Sequence, residues 1–288
     1  MTAICLLACL GRRELPKWDP GPLQNWSNKI VVVTGGTAGL GKAISLEFAR
    51  SGASVITISR NPDNGTSLQT AAGKDCPPIT CLACDVTQDQ EVADTVAAVV
   101  ADHGQVDVWV NCAGTSTRAD IRTTGVESYR AQMEINFYST VRCSLAILEQ
   151  LARTSGHLVN IGSLASKTAW PFMAPYSASK HAVASFTHQL RLEGPANVNY
   201  LLVCPGPIRR EDAGERYDEQ SAGLPDSARL PGGGAKLKGC DAAQLARQIR
   251  IGCEKRKLEL VLPWKSRLLF GIAQVSPRIG DWLLKKFS

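Results

Sequence analysis

Between Asn28 and Leu262, short β-branched runs alternate with stretches of helical spacing, and this alternation restricts the chain to one architecture. The runs at 29–34, 53–59, 79–84, 106–111, 157–161, 198–204 and 258–262 are nearly continuous in Val, Ile, Leu and Cys, as expected of strands buried on both faces. Helical spacing fills 40–50, 89–102, 126–152, 176–193 and 241–255. Strands that alternate with helices predict an α/β fold, a doubly wound parallel sheet in a single three-layer α/β/α domain. The chain has 288 residues, 44% apolar and 20% charged, enough for one large domain of ordinary globular composition. An irregular Pro-containing arm over 1–27, a domain over 28–262 and a basic tail over 263–288 follow from the pattern.

The first predicted strand runs into Thr34-Gly35-Gly36-Thr37-Ala38-Gly39-Leu40-Gly41, which opens the first helix. In a parallel α/β sheet this turn is where a dinucleotide binds. Glycines let the backbone approach a pyrophosphate, and the helix N-terminus offers free N–H groups and the positive end of its dipole. Cofactor choice rests on the end of the second strand, where NAD binders place an acid for the ribose 2′-hydroxyl. Here Ser59 stands at that place, followed by Arg60. An uncharged residue beside a guanidinium suits a 2′-phosphate, so NADP(H) is expected, with NAD(H) as the alternative.

Tyr176 and Lys180 lie four residues apart and so share one helix face. A nearby ammonium favours phenolate and lowers a phenol pKa from its usual ~10. A phenol tuned that way exchanges protons near neutral pH.

The cysteines and histidines carry less. Ten cysteines occur at irregular spacing. Cys81 and Cys84 form a C-x-x-C, but three positions along a strand place side chains on opposite sides. They are expected to be small buried apolar residues of a reducing compartment. His103, His157, His181 and His188 form no metal-spaced set, and no metal is expected. The apolar stretch Ile4–Leu10 has no basic segment before it and is short for a secretory signal. Asn25-Trp26-Ser27 and Asn64-Gly65-Thr66 match glycosylation triplets of a kind common by chance. No apolar stretch reaches the ~20 residues of a membrane-spanning helix. A cytoplasmic location is expected.

Taken together, these motifs resemble the short-chain dehydrogenase/reductase family, whose Rossmann-like fold the strand and helix order matches. The glycine turn is similar to its Thr-Gly-x-x-x-Gly-x-Gly, Asn111-Cys112-Ala113-Gly114 to its Asn-Asn-Ala-Gly, and Pro205-Gly206 to the turn after its sixth strand. Asn136, Ser163, Tyr176 and Lys180 fall where its catalytic tetrad is expected. The resemblance spans about residues 28–262. It implies hydride transfer between a nicotinamide and a carbonyl or secondary alcohol. Tyr176 would be the general acid in reduction, and Lys180 would lower its pKa and hold the nicotinamide ribose. Ser163 would bond the carbonyl oxygen, and Asn136 would hold a water linking Lys180 to solvent. It further implies cofactor contacts at Gly35, Thr37, Gly39, Leu40 and Gly41, at Ser59 and Arg60, at Asp85 and Val86, at Asn111, Ala113 and Gly114, and at Pro205, Gly206 and Ile208. A homodimer or homotetramer is expected on the same ground. One departure stands out. Members commonly carry a Thr a few positions after the Pro-Gly, where it contacts the nicotinamide carboxamide, whereas here Pro207-Ile208 runs into Arg209-Arg210. A second reading, a non-catalytic dinucleotide-binding sensor or scaffold, would predict a broken tetrad.

Two regions lie outside that pattern. Residues 205–240 are rich in Pro, Gly and charge, as a binding loop or lid would be. Residues 207–238 within this segment, with 115–123 and 164–173, would select the substrate. Thr115, Ser116 and Thr117 are polar and Ala169, Trp170, Pro171 and Phe172 apolar, which suits a partly apolar substrate. The tail carries Lys265, Arg267, Arg278, Lys285 and Lys286 against the single acid Asp281. Net charge is +6, so the domain itself is close to neutral, which argues against nucleic acid as a partner. With its Trp and aliphatic residues the tail fits a helix packed on the domain or on a second subunit, the commoner case. The alternative is a helix lying in a membrane interface. In that the tail loosely resembles membrane-associated reductases of the family, a resemblance that implies a lipid or ketosphingoid carbonyl as the substrate class.

Overall fold

The computed structural model describes residues 25–61, 65–209, 217, 220–221, 223–229, 232 and 239–287. The predicted arm up to residue 24, Asn64, Arg210 and most of the 207–240 loop lie outside the described residues.

Seven parallel strands form one sheet: β1 (Ile30–Thr34), β2 (Ser54–Ser59), β3 (Ile79–Ala83), β4 (Val108–Asn111), β5 (His157–Ile161), β6 (Asn199–Pro205) and β7 (Glu259–Leu262). Their order is β3-β2-β1-β4-β5-β6-β7. The chain reverses its direction of travel between β1 and β4, and the crevice at the carboxyl ends of these strands is where such sheets bind ligands. Register is fixed by alternation along each strand. Val31 and Val33 of β1 and Val108 and Val110 of β4 face one core, whereas Val32 and Trp109 face the other.

Each core is closed by helices. The first lies under α1 (Gly39–Arg50), α2 (Gly65–Ala72) and, further along the chain, Leu245, Ile249 and Cys253. The second lies under α3 (Asp89–His103) and under Cys143, Ile147 and Leu151. Trp26, from the segment predicted to be an arm, is buried edge-on against Phe48, centroids 4.9 Å apart, and donates to Glu254 Oε1 at 2.9 Å. The packed domain therefore includes Trp26.

The helix expected over 126–152 is interrupted. It consists of α4 (Val126–Met133), a π-turn (Glu134–Tyr138) and α5 (Ser139–Thr154). Hydroxyls account for part of the change: Ser139 and Thr140 donate back to the carbonyls of Ile135 and Asn136 at 2.6 and 2.9 Å. Beyond lie α6 (Ala174–Glu193) and α7 (Ala242–Glu254), and the tail is two helices rather than one, α8 (Ser266–Val275) and α9 (Pro277–Phe287).

Candidate active site

The glycine turn is shaped by close approach. Gly35 has φ +64° and sits against β4, where a Cβ would lie 3.0 Å from Ala113 Cα. Gly41, in the first turn of α1, faces the Gly35 carbonyl so closely that a Cβ would lie 2.1 Å from its oxygen. Thr34 Oγ1 accepts from Cys112 N at 3.0 Å and Ala113 N at 3.1 Å, which clamps the ends of β1 and β4 together. The result is a cradle of bare backbone at a helix N-terminus, the form that receives a pyrophosphate.

Two connected hollows open along this crevice. One, of about 290 Å³, is lined by Gly35, Gly39, Leu40, Gly41, Gly114, Ser163, Tyr176, Lys180, Pro205, Gly206 and Ile208. The other, of about 600 Å³, is lined by Ser59, Arg60, Asp85, Val86, Ala113 and Gly114 and shares Gly35 and Gly114 with the first. Both are of the size usual for ligand sites, roughly 300–1,000 Å³. Two expected cofactor contacts stand apart. Asn111 is buried in the sheet, where its side chain accepts from Trp109 Nε1 at 2.9 Å and donates to Ser144 Oγ and Asn160 Oδ1. It holds strands and helix together and does not line the crevice. Thr37 lies in the turn but not on the lining, where Ala38 stands instead.

The four tetrad positions converge on the first hollow and its floor. Tyr176 lies half-buried in the first turns of α6, and Lys180 Nζ sits 5.9 Å from its ring centroid. The Lys180 ammonium is buried and donates to the Ile161 carbonyl at the end of β5 at 2.7 Å. Burial pushes its pKa down to about 8. Ser163 caps the 3₁₀ turn Leu164–Ser166: its Oγ accepts from Ala165 N at 3.1 Å, and its own N–H donates to Ser166 Oγ at 3.0 Å. Capping uses the hydroxyl as an acceptor, so its proton remains to donate into the crevice.

Asn136, buried in the π-turn, joins these parts. Its Oδ1 accepts from Thr115 N at 2.9 Å, and its Nδ2 donates to Thr115 O at 3.0 Å and Ser179 Oγ at 2.9 Å. Ser179 in turn donates to the Tyr176 carbonyl at 2.8 Å. Both amide protons of Asn136 are thus spent on protein groups, and its side chain braces α6 against the β4 loop. A Cβ on Gly114 would lie 2.6 Å from Asn136 Oδ1 and 3.8 Å from Lys180 Nζ, so the two polar groups meet at this glycine. Thr115 and Ser179 give no motif signal of their own, and only the fold shows that they share Asn136.

Described residues of the three loops predicted to select the substrate meet beside the first hollow. Ser116 Oγ meets Tyr217 Oη at 2.7 Å, and the buried Arg118 stacks on the Tyr217 ring at 3.9 Å and donates to Ala228 O at 2.9 Å. Phe172 adopts φ +59°, and its carbonyl accepts from Ala119 N at 3.0 Å, joining two of the predicted selectivity loops. Arg209 points away from the crevice: its N–H donates to Cys240 O at 2.9 Å, and its guanidinium lies 3.9 Å from Asp241, the N-cap of α7. Ile208, rather than Arg209, lines the crevice at this turn.

A seven-stranded parallel sheet with a glycine cradle at its switch point and a Tyr–Lys pair in the same crevice defines a dinucleotide-binding oxidoreductase domain. The sequence model of the short chain dehydrogenases matches residues 29–221, and the chain belongs to that family. It is 30% identical to the Drosophila melanogaster dehydrogenase/reductase SDR family protein 7-like over 93% of this chain and 84% of that one. It is 37% identical to the Mus musculus dehydrogenase/reductase SDR family member 7B over 63% of this chain and 58% of the relative. Among solved structures it superposes on a short-chain dehydrogenase from Streptomyces avermitilis with a TM-score of 0.73, at 26% identity, over 88% of this chain and 96% of that one. The fold is also that of an alcohol dehydrogenase from Thermococcus sibiricus complexed with 5-hydroxy-NADP, TM-score 0.67 at 20% identity over 81% and 94% of the two chains.

Proposed function

We propose that the protein is an NADP(H)-dependent reductase or dehydrogenase of a partly apolar carbonyl or secondary alcohol, with Tyr176 as general acid/base. The observation that carries this is the placement of Tyr176, Lys180 and Ser163 around the hollow that the glycine cradle opens into. When bound, the cofactor supplies the hydride. The cradle from Gly35 to Gly41 would hold its pyrophosphate, and Pro205, Gly206 and Ile208 would flank the nicotinamide end. The Ser163 hydroxyl would donate to the substrate oxygen and fix it beside Tyr176, whose phenol would give up its proton as charge builds there. The Lys180 charge favours the phenolate that remains.

Arg60 is exposed at the end of β2, on the lining of the second hollow, and no acid stands at this position. Its charge bears on the neighbouring Asp85, whose carboxyl is held below the usual range chiefly by the N–H and O–H of Thr87. An exposed guanidinium here fits a 2′-phosphate. Replacing Arg60 with Glu should shift the ratio of kcat/KM for NADPH and NADH towards NADH by roughly 10- to 100-fold, the worth of one hydrogen bond to a charged group. An unchanged ratio would remove Arg60 from cofactor selection.

The depressed Lys180 pKa sets a pH limit. In the free enzyme Lys180 is charged below about 8 and neutral above it. Carbonyl reduction uses the charged form, so kcat/KM for NADPH should be level below that pH and fall about tenfold per unit above it. A profile that stays level up to pH ~10, near the ordinary lysine pKa, would contradict the role given to Lys180.

A further inference from the structure

The tail folds back on the domain by one face and leaves the other bare. Phe270 of α8 is buried among Leu164, Val183 and Val261, and Leu284 of α9 packs against the cluster of Ala165, Trp170 and Met173, as Tyr176 does. The two helices are locked tightly: a Cβ on Gly280 would lie 2.7 Å from Ala273 Cα. On the outer side Trp264, in the turn before α8, is followed at helical spacing by Leu268, Ile272 and Val275 along it, with Leu268 65% and Val275 88% exposed. Ile279 and Trp282 extend the stripe onto α9, where Lys286 Nζ lies 5.0 Å from the Trp282 ring centroid.

We propose that this outer face seats the protein on an anionic lipid bilayer, with the substrate hollow opening beside it. The proposal rests on the reductase function above and narrows its substrate class to carbonyl compounds dissolved in the membrane. Two observations favour lipid over a second copy of the chain. Within the tail Lys265, Arg267, Arg278, Lys285 and Lys286 stand against the single acid Asp281, and Arg267 is also paired to Glu259 Oε2 of the domain at 3.6 Å, which leaves the hairpin cationic. A symmetric dimer through this face would set that cationic patch against itself, whereas an anionic surface complements it. The inner face of the same hairpin supplies Leu284 to the wall that holds Tyr176. An apolar substrate leaving the bilayer beside α9 would first meet the apolar cluster of Ala165, Trp170 and Met173 against which Tyr176 also packs.

Flotation of the full chain with phosphatidylcholine vesicles, with and without phosphatidylserine, tests this. The protein should float with the serine-containing vesicles and far less with phosphatidylcholine alone. Leu268→Glu combined with Val275→Glu alters only exposed positions, and should weaken vesicle binding by roughly a hundredfold, the worth of two apolar side chains held in lipid. The same variant should reduce a water-soluble ketone at the parental rate and a long-chain ketone in vesicles much more slowly. Absence of flotation overturns the proposal, as does flotation undiminished in the variant. So does a parental dimer that dissociates in the variant by light scattering, which would make the face a protein interface. If neither ketone is reduced but flotation holds, the reductase function fails and the membrane seat stands.

Discussion

Replacing Tyr176 with Phe is expected to lower carbonyl reduction by roughly 10³-fold, the contribution of a positioned general acid, while NADPH binds within a few-fold of the parental affinity. The two effects separate because different parts of Tyr176 hold it in place and carry the proton. Its ring packs with Ala165, Trp170 and Met173, which phenylalanine preserves. Its backbone carbonyl accepts from Ser179, which no side-chain change touches. Only the phenolic oxygen is lost, and with it the proton source beside the Ser163 hydroxyl. The check is steady-state turnover with a panel of ketones beside a titration of NADPH fluorescence. Substantial turnover in the variant would remove Tyr176 from the chemistry, and loss of NADPH binding in parallel would show that the ring's place had moved instead.

The second large effect is expected at a residue with no side chain. Gly41→Ala adds one methyl group 2.1 Å from the Gly35 carbonyl oxygen and 2.8 Å from its carbon, so backbone must shift. The strain of overpacking is about 1–3 kcal/mol, and the melting temperature should fall accordingly. The functional loss should be larger. Displacing Gly35 from α1 disturbs the N–H groups that would meet the pyrophosphate, each worth about 1.5–3 kcal/mol to a charged acceptor. Two such bonds correspond to a fall in cofactor affinity on the order of a hundredfold or more. Gly271→Ala is the matched control, since a Cβ there meets nothing within 4 Å. Calorimetry and an NADPH titration on both variants decide it: Gly41→Ala with unimpaired NADPH affinity would show that the cradle is not the phosphate site.

The sheet was legible because parallel strands buried on both faces must be apolar at nearly every position. Six of the seven β-branched runs match the strands observed to within one residue at each end, and the remaining one, 106–111, starts two residues before β4 at Val108. The cradle was legible for a related reason. Only glycine tolerates a Cβ site 2.1 Å from a carbonyl oxygen, so geometry forces the residue type and leaves a spaced motif. Tyr176 and Lys180 were legible as a pair because four residues on a helix bring side chains to one face.

What the sequence did not show depends on contacts between distant segments. Asn136 stands in a π-turn where an unbroken helix was expected, and its amide is satisfied by Thr115 and Ser179, 21 and 43 residues away. Asn111 sits in a motif that suggests a cofactor contact, yet its side chain is consumed by Trp109, Ser144 and Asn160. Arg209 stands beside the nicotinamide turn in sequence, but the bridge between Ile208 and Cys240 turns it towards Asp241. The tail shows the division most plainly. Its composition alone carries apolar and cationic residues on helices, which suits packing on the domain or a second subunit first and a membrane surface second. Tertiary structure divides the tail by face: Phe270 and Leu284 find partners in the domain while Leu268 and Val275 are left to solvent. Local periodicity determines which residues share a face; only the packed fold determines what that face meets.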